Sequence, residues 1–356
     1  MRYHEPVQKA LKAADGLAEL IQTDLDAQRG GCTWWHDYGL EITAITGIMD
    51  YLIGLISGVR ENLRIAAVHL ADLRDHRFAD DRWMGEQFKA RNGHPPIRGD
   101  HEARREARID AGVVGVLQAA GSILDNLAGI VVAVGGFDTE LIQADLGRLL
   151  PFTEGPGYPG DGVRGQLKLC KRKVLDPADR QGTLLRATRS ALRHAGPDGW
   201  LDWTKGSRND RVHRAGRLSV NYISNGKIAR PLPLQPEHPE AHAFREATDT
   251  SKLLLTEDSL VTLAGIVGSL DAAVVGIFVP CEELWRYRKD HPDEIAQPAG
   301  QWPDKPPRDV GFDGYQPGSA APPEDSVAVI SPYTAARFQA AQILDVHTTA
   351  SRSPLP

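Results

Sequence analysis

The sequence has little that would tie it to an oxidising compartment or to a metal. Its only three cysteines, Cys32, Cys170 and Cys281, are far apart and form no Cys-x-x-Cys spacing. Neither a disulfide framework nor a zinc ribbon is expected from them, and a reducing cytoplasm fits. Aromatic residues make up only 6% of the 356 residues, while 35 glycines and 24 prolines are present, which excludes an aromatic-rich sheet protein and favours Ala- and Gly-rich helices joined by loops. No excess of positive charge exists either: 41 Lys plus Arg stand against 47 Asp plus Glu, for a net charge of -6. A chain that coats nucleic acid over its whole surface is therefore excluded.

An uninterrupted apolar leader is also missing, because charges recur through Lys9, Lys12, Asp15 and Glu19. Two later stretches are long enough to span a bilayer. Residues 111 to 137 carry one charge, Asp125, and residues 259 to 279 carry one, Asp271. An acid near the middle costs roughly 2.5–3.5 kcal/mol on insertion, so buried bundle helices are expected and no membrane partner.

What the sequence does contain is helical periodicity. Val7, Leu11, Ala14, Leu17, Ile21 and Leu25 recur at three- and four-residue steps and predict an N-terminal amphipathic helix. The same period predicts a core helix over 40–73, then a charged loop or surface excursion over 75–105 interrupted by Pro95 and Pro96. Further helices are expected over 106–135, 138–149, 177–195, from about Ser207, and 257–288. A Gly/Pro-rich loop is expected over 151–165. Asn225-Gly226 between two apolar runs, 218–223 and 227–232, predicts a β-hairpin. Asp50, Asp125 and Asp271 each stand four or five residues before a glycine in a core helix. Close helix approach at small residues is the preferred reading over a carboxylate cluster. The expected fold is thus an all-α multi-helix bundle over residues 1–290 with a small hairpin insertion near 218–232. A Pro-rich tail over 291–356 holds eleven of the 24 prolines and a short helix near Tyr333 to Val346.

The charge is unevenly spread. Residues 163–217 hold fourteen basic side chains against five acids, a local +9 that leaves -15 for the rest of the chain. Such a concentration is the footprint expected of phosphate or RNA binding, with Lys171, Arg172, Lys173, Arg189, Lys205 and Arg211 as candidate contacts. No helix-turn-helix or zinc-finger pattern accompanies it, so sequence-specific duplex DNA is not the expected ligand.

Within the island lies Ser207-Arg208-Asn209-Asp210-Arg211-Val212-His213. Ser207 and Asp210 match a capping box, which predicts a helix start with Arg208 in its first position. Asn209 and His213 are four apart on one face, so the amide can fix the imidazole tautomer. An anion there would meet free backbone N–H groups and the Arg208 guanidinium. A neutral His can take the proton of a ribose 2′-hydroxyl, and a fixed cation can stabilise the phosphorane that follows. Arg-x4-His occurs four times, at Arg64/His69, Arg189/His194, Arg208/His213 and Arg286/His291, but only Arg208 is followed by Asn.

With this Arg-Asn-x-x-x-His element on an all-α scaffold, the sequence resembles the HEPN superfamily, whose ribonuclease members carry Arg-x4-6-His. The resemblance implies metal-independent RNA cleavage that leaves a 2′,3′-cyclic phosphate, with Arg208, Asn209 and His213 as the site. It also implies a homodimer with facing motifs, no cofactor, and a toxin or antiphage-defence role with an antitoxin or regulatory partner. The other expectation is a non-catalytic helical module that binds RNA or an acidic protein. His238 and His242 have helix-compatible metal spacing but no third ligand, so no metal is expected. Gly160 and Gly165 have phosphate-loop spacing with Gln166 where a lysine is required. Trp200 and Trp203, just before the motif, are expected to pack rather than to stack a base.

Overall fold

A computed structural model describes residues 5–25, 33–36, 38–92, 94, 96–149, 177–213, 221–224, 227–234, 253–302 and 315; for residues 33, 36, 177–179, 210–213, 224 and 299 it describes the backbone alone. Seven α-helices and one two-stranded hairpin are present among these residues. The helices are α1 (Gln8–Leu25), α2 (Thr33–His36), α3 (Ile42–Ala90), α4 (Asp100–Gly135), α5 (Pro177–His194), α6 (Trp200–His213) and α7 (Ser259–Asp290). The fold is an all-α bundle, as the periodicity predicts. The expected terminal helix near Tyr333 to Val346 and the loop over 151–165 lie outside the described residues.

α3 and α4 form a long antiparallel hairpin. Residues 55, 58, 69 and 73 of α3 face residues 129, 126, 115 and 112 of α4 in reverse order, and glycines make the approach possible. A Cβ on Gly115 would stand 2.4 Å from the His69 ring, and one on Gly129 would stand 2.7 Å from Leu55. Small residues at these positions thus set the interhelix distance. α4 is the central element. From Leu127 to Gly135 every residue is buried, so this stretch is apolar all round because neighbours surround it. α7 packs beside it, and α1 packs on α7 and α3, with the Ala10 N–H donating to Asp271 Oδ1 at 2.8 Å. α5 crosses α7 where the Ala191 methyl meets Gly276.

The charged stretch after residue 75 departs from expectation. Instead of a loop, α3 continues to Ala90, and only residues 91–99 turn the chain into α4. Several of the charges there pair along the helix or turn inward. Arg82 pairs with Glu86 at 3.1 Å, four residues on. Asp80 is fully buried and takes both Arg98 guanidinium nitrogens, at 2.7 and 3.0 Å. Arg230, next to the hairpin, reaches Asp80 and Asp81, while buried Arg77 bonds Asp258 at 2.9 Å and Ser259 Oγ at 2.9 Å. Asp258 in turn caps α7 by accepting from the Leu260 N–H. Burial opposes ionisation of Asp80 and Asp258. The arginines and backbone donors outweigh it and hold both below the usual aspartate range.

The hairpin is shorter than predicted, Tyr222–Ser224 paired with Lys227–Ala229, and its register sets Ser224 opposite Lys227, as the Asn225-Gly226 signal predicts. The predicted helix over 138–149 is instead a 3-10 turn at Leu141–Gln143 and a helical turn at 146–149. Packing also continues past residue 290. Ile295, Gln297 and Gln301 are buried against the C-terminal end of α4. There the fully buried Arg288 donates to the Val134 carbonyl at 2.7 Å and to Gln297 at 2.7 Å. Gln181 and Gln301 take the Gly135 and Phe137 carbonyls, at 2.7 Å each. These donors satisfy carbonyls that a buried helix end otherwise leaves unpaired.

Three helices, α3, α4 and α7, are long and apolar enough to cross a membrane by length and composition. The most apolar stretch of α4 is 78% buried inside the bundle, against 44% in α3 and 50% in α7. Packing accounts for the apolarity of α4 most fully.

Candidate nucleic-acid interface

The described part of the basic island, residues 177–213, maps onto α5, α6 and the turn between them. Lys171, Arg172 and Lys173 lie outside the described residues, as do His238, His242 and the Gly160–Gly165 segment. On α5 the arginines have different surroundings. Arg186 is exposed and donates to Thr183 Oγ1 at 2.9 Å, and Arg180 lies over the Tyr287 ring at 4.0 Å. Arg189 has its Nε buried with no hydrogen-bond partner among the described residues, whereas Arg193 and His194 are exposed. His194 directs Nδ1 to the Ser190 carbonyl of its own helix at 2.8 Å.

α6 starts earlier than the capping box predicts. Gly199, with φ +80°, and the bonds from Trp200 N to the Pro197 carbonyl and from Trp203 N to the Gly199 carbonyl begin the helix at Trp200. Ser207 is therefore in the helix interior. It is 4% exposed, and its Oγ has no hydrogen-bond partner among the described residues. This corrects the expected cap, and with it the expected anion site at a helix start: Arg208 is in the third turn and has no free backbone N–H groups beside it. Trp200 is in the core and donates to the Leu192 carbonyl at 2.9 Å, while half-buried Trp203 donates to the Pro233 carbonyl at 2.9 Å. Both tryptophans brace the turn and α6, as the packing expectation has it.

Arg208 and Asn209 occupy the crossing of α6 over α4. The Arg208 stem lies on Gly121, where a Cβ would come within 2.9 Å of Nε and 3.2 Å of Cγ and Cδ. Its Nη2 is 3.8 Å from Asp125 Oδ2, with both side chains about one-third exposed, and Nη1 reaches Asn209 Oδ1 at 3.4 Å. Asp125 accepts from the Leu146 N–H at 3.3 Å and so caps the turn at 146–149. Burial pushes the Asp125 carboxyl above its ordinary range, and the charges of Arg208 and Lys205 only partly offset this. Lys205 is exposed and lies beside residues 145–147. The backbone of α6 places His213 one turn beyond Asn209, while the side chains of Arg211 and His213 lie outside the described residues.

The structure thus brings Arg208, Asn209 and Lys205 together in the middle of α6 and adds Asp125 and Gly121 from α4. Sequence reasoning met Asp125 only as a lone acid in an apolar helix. The signal that identifies it is that same oddity: a carboxylate in such a helix needs a cation. In two of the other Arg-x4-His pairs both residues have local contacts. Arg64 pairs with Glu61 at 3.7 Å while His69 packs on Gly115, and Arg286 pairs with Glu282 at 3.0 Å while His291 stacks on Tyr287 at 4.3 Å. In comparisons with known proteins, the chain matches no family model, no curated protein and no solved structure.

Proposed function

We propose that the protein is a metal-independent endoribonuclease of the HEPN type, with Arg208, Asn209 and His213 as its site. The observation that carries this reading is a partly exposed Arg208 beside Asn209 at the edge of a basic helical pair, on the helix that carries His213 four residues after Asn209. In this reading His213 takes the proton of a ribose 2′-hydroxyl, whose oxygen attacks the adjacent phosphorus. The bond to the 5′-oxygen breaks, that oxygen takes a proton from the imidazolium as it leaves, and a 2′,3′-cyclic phosphate remains. Arg208 binds the non-bridging oxygens and stabilises the charge that builds on them. Asn209 orients His213. Lys205 and Arg211, with Lys171, Arg172, Lys173 and Arg189, supply the longer-range field that attracts the RNA backbone. A cytoplasmic homodimer acting as a toxin or antiphage effector, held in check by an antitoxin or regulatory partner, is the setting proposed for this chemistry.

A second reading has support of its own. Arg186, Arg193 and Lys205 are exposed and do not depend on His213, so the same surface serves a non-catalytic module that binds RNA. RNA incubated with the protein in EDTA separates the two. Cleavage that depends on Arg208 and His213 supports the enzyme, whereas salt-sensitive binding without cleavage supports the module.

A further inference from the structure

We propose that Asp125 is the counter-ion of Arg208 that a bound phosphate displaces, so that a phosphate and the Asp125 carboxylate compete for one guanidinium. The inference deepens the reading above and rests on Arg208 being a phosphate ligand. It does not require that RNA be cut.

The geometry distinguishes this pair from the structural ones. Arg98 grips the buried Asp80 through two nitrogens at 2.7 and 3.0 Å. Arg208 approaches Asp125 through one nitrogen at 3.8 Å, outside the range of a charge-assisted hydrogen bond, and about a third of its side chain faces solvent. Among the described residues only the 3.4 Å contact to Asn209 engages another of its donors. A phosphate offers oxygens that match the guanidinium fork, but it would stand next to the Asp125 carboxylate. Two like charges at that separation repel. The charged groups facing Asp125 are Arg208 and Lys205 from α6 and Asp145 from the segment before the 146–149 turn, with the Leu146 N–H as a neutral donor. The local charge is therefore balanced before an anion arrives and unbalanced afterwards. Proton uptake by Asp125 restores the balance, and burial already favours its neutral form.

The test uses the full chain and a short RNA methylated at every 2′-oxygen, which binds without being cut. Fluorescence anisotropy follows binding from about pH 5 to about pH 8 at fixed ionic strength. Wild type is expected to bind more tightly as the pH falls. Asp125→Asn, which keeps an oxygen for the Leu146 N–H, is expected to bind about three- to fivefold more tightly near the upper limit and to lose much of the pH dependence. Calorimetry of wild type in two buffers of different ionisation enthalpy reads the proton directly and decides the matter even if Asp125→Asn fails to fold. Net uptake is expected, reduced in Arg208→Ala. If Arg208→Ala weakens binding while Asp125→Asn behaves like wild type, or if no proton is taken up, the competition is overturned and Arg208 stays a phosphate ligand. If Arg208→Ala binds like wild type, both the competition and the site reading are overturned.

Discussion

Arg208 lies across the backbone of α4 at Gly121, with room for a hydrogen there and not for a methyl group, since a Cβ would meet its Nε at 2.9 Å. Gly121→Ala therefore has to shift the arginine, because the atoms that a Cβ would meet all belong to the Arg208 side chain. A well-packed site with an added methyl loses about 1 kcal/mol, or about 2–4 °C in Tm. RNA affinity is expected to fall by more than this small loss explains. Paired thermal melts and binding isotherms check it. A drop in Tm with unchanged affinity would mean that the placement of Arg208 on Gly121 does not matter for the ligand.

Ser207 supplies a contrast between two accounts of α6. At a helix start, Ser→Ala removes a cap and costs about 1 kcal/mol. In the interior position seen here, with Oγ buried and lacking a partner among the described residues, Ser207→Ala removes a polar group that gains nothing from burial. The variant is expected to be as stable as wild type or slightly more so in urea unfolding.

The Asp80 network predicts a pH dependence with a definite sign. Asp80 and Asp258 have folded-state pKa values below their ordinary ones, so the stability they contribute is fully present above the unfolded value, about 3.9. It is lost as pH falls through the folded values. Asp81, which burial holds above its ordinary value, works in the opposite direction and offsets part of the effect. Asp80→Asn leaves Arg98 and Arg230 without that charge and is expected to cost about 3 kcal/mol near neutral pH. Its Tm should fall less steeply below about pH 4 than that of wild type. Parallel curves for the two proteins would show that Asp80 is not responsible for the acid sensitivity.

At the other end of the bundle, Arg288→Met keeps most of the side-chain volume but removes the donors to the Val134 and Ile295 carbonyls and to Gln297. Leaving buried acceptors unpaired costs about 1–3 kcal/mol. Amides in the last turn of α4 are expected to lose hydrogen-exchange protection selectively. Uniform loss across the chain would indicate global destabilisation instead.

Helices with an unbroken apolar period were readable from sequence, because Leu17, Ile21, Leu52 and Val59 repeat at the step that a buried face imposes. The second half of α3 was not. Its charges looked like a solvated loop, yet Asp80 and Arg77 turn inward to partners from distant segments, and the helix runs on through Gly85 to Ala90. The start of α6 was misplaced for a similar reason. Ser207 and Asp210 fit a local rule, but Gly199 and the Trp200 anchor had already started the helix seven residues earlier. The Arg208–Asn209–His213 order was legible as a motif. Its meeting with Asp125 and Gly121 was not, since neither position on α4 carries a local signal that points to α6.

The most direct measurement incubates purified protein with RNA in EDTA and compares wild type with Arg208→Ala and His213→Ala. Wild type is expected to yield fragments with 2′,3′-cyclic phosphate ends, and both variants to lose about 100-fold or more in rate. Equal cleavage by wild type and His213→Ala, or no cleavage by any of them, would contradict the assignment.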